Sequence, residues 1–332
     1  MITAISSFLP TAILSNEQLA AEFSEWSAQK IYEKTGIRNR HIAGPEETAS
    51  DLAEKAALKL FESIDRSEID FLIFCTQSPD YILPPSACLL QHRLGLRSNI
   101  GAFDFNLGCS GYIYGLSMAT ALIGSQQAQK VLLLNADTYS KFIHPKDKST
   151  RTIFGDAGTA TLISGTSRNR VHSFIFGTDG AGAEQILVKV GGCRFPAKST
   201  VVEEREDESG NIKSPACLFM NGPEVFNFTI QAVPALMEGV LQKAQISAAE
   251  IDLFVFHQAN AFMLEHLRRK LKIPKEKFVL ALEEVGNTVS ATIPLALESA
   301  KRAGQLKSPS RILLAGFGVG LSWGGCILEW QE

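Results

Sequence analysis

The chain has 332 residues, 45% of them hydrophobic, which supplies enough apolar material for a substantial core and for one or two domains. Its 32 basic and 35 acidic residues leave a formal net charge of -3, so no global field would draw it to nucleic acid or to an anionic membrane. No apolar run approaches the ~20 residues of a membrane span, and residues 1–10 lack the basic flank of a secretory signal, so a cytoplasmic location is expected.

In chain order, the first helical pattern runs from Ser50 to Ser63, with apolar residues three or four apart. Glu68-Ile-Asp-Phe-Leu-Ile-Phe74 then reads as a short buried strand. A further strand is predicted over residues 100–107 and a buried helix over residues 112–119, with Gly108-Cys-Ser-Gly111 at the junction. Cys109 thus stands at a helix start, where unpaired N–H groups and the helix dipole favour negative charge and hold a thiol below its free pKa of ~8.5. The flanking glycines let a substrate approach the backbone. The other cysteines, at 75, 88, 193, 217 and 326, form no C-x-x-C pair; they are expected to be packing thiols rather than zinc ligands or disulfides. Phe105, Tyr112 and Phe154 are likewise read as core.

Another apolar strand covers residues 130–135, and the highly charged stretch 198–214, with its Ser-Gly-Asn, reads as an exposed connection. The pattern then repeats. A helix is predicted over residues 228–244, and Glu250-Ile-Asp-Leu-Phe-Val-Phe256 matches residues 68–74 in polarity at every step. Ser290-Ala-Thr-Ile-Pro294 is the small-residue helix start corresponding to residues 108–111, and residues 311–316 form the strand corresponding to 130–135. Strands alternating with helices imply parallel pairing through right-handed crossovers, and the repeat implies two α/β halves, 1–168 and 169–332.

His257-Gln-Ala-Asn260 follows the repeated strand at its C-terminal end, where open α/β sheets place their sites. The duplication puts that end near the helix that begins at Cys109. Glu284-Val-Gly-Asn-Thr supplies Asn287, which on local grounds alone is a turn asparagine. Gly316-Phe-Gly-Val-Gly320 is a glycine-rich turn that would offer backbone N–H groups to an oxyanion or a phosphate.

Taken together, Gly108-Cys-Ser-Gly111, Phe154-Gly-Asp-Ala-Gly158, His257-Gln-Ala-Asn260, Gly286-Asn287 and Gly316-Phe-Gly-Val-Gly320 resemble β-ketoacyl-acyl-carrier-protein synthase III. Thr35-Gly-Ile-Arg38 and Asn221-Gly-Pro-Glu-Val-Phe226 also fit, so the resemblance spans essentially the whole chain. It implies the five-layered α-β-α-β-α thiolase-like fold, a homodimer, and a ping-pong decarboxylative Claisen condensation. Cys109 would take an acyl group from a thioester, and malonyl on acyl carrier protein would lose carbon dioxide and attack it. His257 and Asn287 would donate hydrogen bonds to the enolate oxygen, and the amides of Cys109 and Val319 would form the oxyanion hole. No tightly bound cofactor is implied; acyl-CoA and carrier phosphopantetheine thioesters are substrates. A biosynthetic thiolase would carry a second cysteine in the last glycine-rich turn, and elongating synthases use a second histidine where Asn287 stands.

The same resemblance assigns Lys30, Arg38, Asn260 and Phe262 to the coenzyme A site, Arg268, Arg269 and Lys270 to carrier docking, and Leu83 to the partner's acyl pocket. Lys30 stands where the family usually has a stacking tryptophan, Phe262 replaces an arginine, and Asn227 replaces a lysine. Loss of a stacking surface and of fixed charge weakens the familiar coenzyme A pose. A longer or carrier-bound acyl donor is therefore expected in place of acetyl-CoA. Two other functions share these features: an acyltransferase of the same fold in a secondary-metabolite pathway, and a non-catalytic partner subunit.

Overall fold

The structure, a computed structural model, describes residues 1–331; Glu332, the last residue of the expected second half, lies outside them. The first sheet contains β1 (Ile2–Phe8), β2 (Phe71–Cys75), β3 (Gly101–Phe105), β4 (Lys130–Asp137) and β5 (Ala157–Ser164), in the order β1-β5-β4-β2-β3. Strand β2 runs parallel to β3 and β4, while β5 is antiparallel to β4 and β1. Residues 131–134 are all buried, as a strand covered on both faces requires.

The second sheet contains β6 (Arg170–Thr178), β7 (Leu253–Phe256), β8 (Ser310–Gly318) and β9 (Ser322–Trp330), in the order β7-β8-β9-β6. Its pairing repeats that of the first: β7 is parallel to β8, and β9 is antiparallel to β8 and β6. The counterpart of β3 is reduced to one parallel bridge, Phe254 to Phe278, with the amide of Val279 donating to the Phe254 carbonyl at 3.0 Å.

The sequence echo has a physical cause, although each echoed run becomes a strand later than predicted. Residues 66–68 and 248–250 form single 3-10 turns. The following isoleucines, Ile69 and Ile251, are fully buried. The next residue in each run is an aspartate that fastens the neighbouring strand: Asp70 accepts from the amides of Gln129 and Lys130, and Asp252 from that of Arg311.

Helix α1 (Ala49–Phe61) lays a buried stripe of Leu52, Ala53, Ala56, Ala57 and Leu60 on the outer face of the first sheet. Helix α2 (Gly111–Gly124) is apolar on nearly every side because it touches both sheets. Helix α3 (Gly222–Ala244) covers the outer face of the second sheet with α4 (Ala261–Lys270) packed beside it, and α5 (Thr292–Arg302) lies with α2 in the middle layer, against β1 and β7. The layering is α-β-α-β-α, as the resemblance implied.

One expectation needs correction: Cys88 and Cys193 are exposed rather than packed, and among the described residues the buried thiols are Cys75, Cys109 and Cys326. The connection 198–214 is largely exposed, as expected, and carries a short pairing of its own: Arg205–Glu206 pairs with Ile212–Lys213, and Lys213 holds the buried Asp147 carboxylate at 2.7 Å. Among the described residues no helix is long and apolar enough to cross a membrane.

Helix α1 approaches the first sheet most closely at Gly158, where a Cβ would lie 2.3 Å from the backbone of Leu52. Backbone cannot give way as a flexible side chain can. Gly158→Ala is expected to lower the unfolding free energy in urea by at least about 1–3 kcal/mol. Gly124→Ala, whose Cβ meets nothing within 4 Å, should be neutral or slightly stabilising in the same assay.

Candidate active site

The chain leaves β3, turns at residues 108–111 with the amide of Gly111 donating to the Gly108 carbonyl at 2.8 Å, and begins α2. Glycine is needed at 111 because a Cβ there would lie 2.3 Å from the sulfur of Cys75. The turn delivers Cys109 to one end of the middle layer, against the Gly316–Gly320 segment in which β8 ends and the chain turns toward β9. Gly318 passes so close that a Cβ would lie 2.7 Å from the Cys109 sulfur. The amides of Val319, the next residue along, and of Cys109 itself both favour the thiolate form of that sulfur.

His257 follows β7 and continues its pairing, its amide donating to the Ala315 carbonyl at 2.8 Å. The ring is buried, edge-on to Phe317 at 5.8 Å between centroids, with Nδ1 2.7 Å from Thr292 Oγ1. Asn287 is fixed by its backbone before its side chain is considered. Its amide donates to the Ile153 carbonyl at 2.9 Å and its carbonyl accepts from Gly155 at 3.1 Å, forming an isolated parallel bridge with Phe154. Its side-chain Oδ1 accepts from the Val289 amide at 2.9 Å, which leaves the NH₂ group as the donor available to the cavity.

Cys109, His257, Asn287 and Val319 line one cavity of about 130 Å³, together with Phe154 and Asn260. Phe154 is buried in the core, as expected, and also forms a wall of the site. Leu83 does not line it and is 79% exposed, beside the exposed Tyr81 and Ile82. Asn260 serves as the N-cap of α4, its Oδ1 accepting from the Met263 amide at 2.8 Å. Phe262 is 65% exposed, with its ring 5.9 Å from that of Phe226. Lys30 and Arg38 lie on the surface, away from the cavity lining. Lys30 donates to the Glu25 carbonyl at 3.2 Å, and Arg38 pairs with Glu283 at 2.6 Å over the Tyr32 ring.

The basic run on α4 is already partly neutralised. Glu265 receives both Arg268 and Arg269 at 2.7 Å, and these hydrogen bonds hold its carboxyl at about 2. Arg268 also donates to the Ile273 carbonyl, and Lys270 to that of Ile230, each at 2.6 Å.

Electrostatics overturns the expectation of a low thiol pKa. Burial pushes the Cys109 thiol up to about 12; the amides of Val319 and Cys109 pull the other way, and the nearby Asp137 adds to the rise. Desolvation outweighs the helix start because the sulfur is enclosed while only two amides reach it. Burial also lowers the His257 imidazolium to about 3, so the ring is neutral.

Two further buried polar residues hold the site together. Asp137, at the end of β4, accepts from the Gln77 amide at 2.7 Å and from the Ser290 amide and hydroxyl at 3.1 and 2.5 Å. Burial raises its carboxyl to about 7. Arg40 is fully buried and has no carboxylate partner among the described residues, donating to the carbonyls of Thr152 and Arg38 and to Asn16 Oδ1. Its stem packs against Gly155 and Gly286, on either side of the Phe154–Asn287 bridge. The sequence offered a cue for Asp137, an acid ending an apolar strand, and none for Arg40.

Residues 103–180 match the family model described as 3-oxoacyl-[acyl-carrier-protein] synthase III, and residues 241–330 match the model of its C-terminal part. A relative named β-ketoacyl-[acyl-carrier-protein] synthase III 2, from Halalkalibacterium halodurans, is 39% identical over 99% of this chain and 96% of its own. A crystal structure of a 3-oxoacyl-(acyl-carrier-protein) synthase III superposes with a TM-score of 0.97 at 50% identity, covering 99% of both chains. A priming β-ketosynthase from a polyketide biosynthetic pathway superposes with a TM-score of 0.84 at 28% identity, covering 100% of this chain and 96% of the other.

Because the Cys109 thiol is held high, its alkylation by iodoacetamide should accelerate about tenfold per pH unit up to at least pH 9, with no plateau. Peptide mapping by mass spectrometry measures this, with exposed Cys88 and Cys193 as internal references. A plateau between pH 6 and 8 would show a thiolate already formed.

Proposed function

The chain belongs to the β-ketoacyl-[acyl-carrier-protein] synthase III family, and on that premise we propose that it performs the initiating condensation of acyl-chain synthesis through an acyl-Cys109 intermediate. The observation that carries this reading is the shared cavity. Cys109, His257 and Asn287 line it together with Val319, and the Val319 and Cys109 amides favour the thiolate form of the sulfur. We treat 1–168 and 169–332 as the two duplicated halves, a boundary supported by one sheet ending at Ser164 and the other beginning at Arg170.

In the first half-reaction Cys109 attacks an acyl thioester. A thiol held near 12 does not ionise by itself at neutral pH, so the proton leaves as the sulfur attacks, with neutral His257 as its acceptor. Burial penalises thiolate and imidazolium separately, but each is the other's counterion when they form together. The amides of Cys109 and Val319 then hold the tetrahedral oxyanion, a donor of this kind contributing about 3 kcal/mol. In the second half-reaction malonyl on acyl carrier protein loses carbon dioxide, and the enolate oxygen takes hydrogen bonds from His257 and from the Asn287 NH₂. Splitting carbon–carbon bond formation into these two transfers is what the covalent intermediate achieves.

The donor is read as a longer or carrier-bound acyl thioester. Arg38 is tied to Glu283, Lys30 is engaged with the Glu25 carbonyl, and the aromatic Phe262 stands at the surface beside the cavity residue Asn260. Of Arg268, Arg269 and Lys270 on α4, carrier docking falls chiefly to Arg269 and Lys270, since Arg268 is only 18% exposed and folds back on Glu265 and the Ile273 carbonyl, whereas Arg269 stays 74% exposed. The exposed Tyr81, Ile82 and Leu83 fit a homodimer in which Leu83 closes the partner's acyl pocket. Carrier-borne substrates place the reaction in the cytoplasm. The likeness to a polyketide-priming ketosynthase favours, as a second reading, the same condensation in a specialised pathway.

Intact-mass measurement after incubation with a panel of acyl-CoA and acyl-carrier thioesters should give a single adduct, absent in Cys109→Ala. His257→Ala and Asn287→Ala should each slow carbon dioxide release from malonyl carrier by about 10²–10³-fold. An adduct that persists in Cys109→Ala, or condensation without carbon dioxide release, would overturn the proposal. A higher kcat/KM for acetyl-CoA than for carrier-borne donors would overturn the donor assignment alone.

A further inference from the structure

The hydroxyl of Thr292 has one proton and two acceptors within reach. Its Oγ1 lies 2.7 Å from His257 Nδ1 and 3.0 Å from the Val289 carbonyl oxygen, and the residue is 2% exposed. That carbonyl already accepts from the backbone amide of Thr292, so it does not depend on the hydroxyl. The hydroxyl is therefore free to point either way at little cost, and its direction fixes the histidine. When it donates to Val289, Nδ1 must carry a proton to bond it, and Nε2 is a bare acceptor. When it donates to Nδ1, the ring proton sits on Nε2, which becomes a donor. His257 is neutral and buried, so one of these two tautomers is always present.

We propose that Thr292 is a positioning residue that lets His257 present an acceptor in one half-reaction and a donor in the other, by rotation of a single hydroxyl. The inference rests on the condensation proposed above. During acylation Nε2 takes the thiol proton while the Cys109 sulfur bonds to the acyl carbon. The bond from that carbon to the departing sulfur breaks, and the departing thiolate takes the proton from Nε2. One thiol is consumed and one released. During condensation the hydroxyl donates to Nδ1, and Nε2–H donates to the malonyl thioester oxygen. The carbon–carboxylate bond breaks, its electrons pass to the enolate, and carbon dioxide leaves. The enolate carbon bonds to the acyl carbon and displaces the Cys109 thiolate, which one proton from solvent returns to the thiol.

Valine at 292 keeps the shape and removes the hydroxyl that is the hydrogen-bond partner of Nδ1. An N–H at Nδ1 would then be buried without an acceptor, so Thr292→Val biases the ring toward the Nε2–H form and a bare Nδ1. The expected result is acylation, measured by intact mass, slowed by about 100-fold, with carbon dioxide release by pre-acylated protein falling less than about tenfold. Thr292→Ser should restore both rates. Nitrogen-15 spectra of histidine-labelled protein, with His257 assigned by its absence in His257→Asn, should show the Nε2–H tautomer alone in Thr292→Val. Equal losses in both half-reactions, no loss in acylation, or a serine variant no better than valine would overturn the proposal. An unfolded Thr292→Val leaves the decision to Thr292→Ser, in which both half-reactions must run at wild-type rates. Wild-type protein assayed in parallel separates the two readings: if it neither acylates nor releases carbon dioxide, the condensation itself fails.

Discussion

The site depends on a seam between the segments that flank the two sheets, closed by backbone and by one buried carboxylate. Asn287 lies on a segment that makes no sheet of its own, yet its peptide groups are held on both sides by Ile153 and Gly155 of the other half. Asp137 ties the end of β4 to Ser290, three residues further along the same segment. Arg40 packs beside the bridge, its guanidinium bonded to the backbone carbonyls of Thr152 and Arg38 and to Asn16 Oδ1. These contacts fix the peptide that carries the carboxamide, so its NH₂ faces the cavity without any side chain having to hold it there.

Enclosure then sets the chemistry. The same burial that raises the Cys109 thiol to about 12 lowers the His257 imidazolium to about 3, so the resting site carries no charge on either group. A neutral site suits a thioester, which is itself uncharged at the reacting carbon and must displace few ordered dipoles to enter. Charge appears only as bonds change. In the proposed reaction it appears beside the Val319 and Cys109 amides, the imidazole and the carboxamide, groups already held in place around a small cavity, which is what electrostatic preorganisation requires.

Much of this was legible in the chain because duplication leaves its mark twice. Residues 68–74 and 250–256 repeat a full structural unit, a turn, a buried isoleucine and a strand-fastening aspartate, so their likeness signalled topology rather than chance apolar content. The lost counterpart of β3 was not legible, since a single bridge at Phe278 leaves no strand-length pattern. The thiol pKa was misread for a related reason. A helix start is local and visible in sequence, whereas desolvation depends on walls such as Phe154, Ile186 and Met220 that come from distant segments. Thr292 lay inside a stretch recognised only as a helix start, and its bond to His257 spans 35 positions. Arg268 looked like a free charge because Glu265, one turn back, was not weighed against it.

The central claim is that groups from both halves act on one substrate oxygen within this cavity. A crystal structure of the acylated protein with a non-decarboxylating malonyl thioester analogue tests it most directly. The account predicts the analogue's thioester oxygen within about 3.2 Å of both His257 Nε2 and Asn287 Nδ2, with the acyl oxygen at the Cys109 and Val319 amides. A thioester oxygen bound beyond reach of either side chain, with the acyl group still on Cys109, would contradict it.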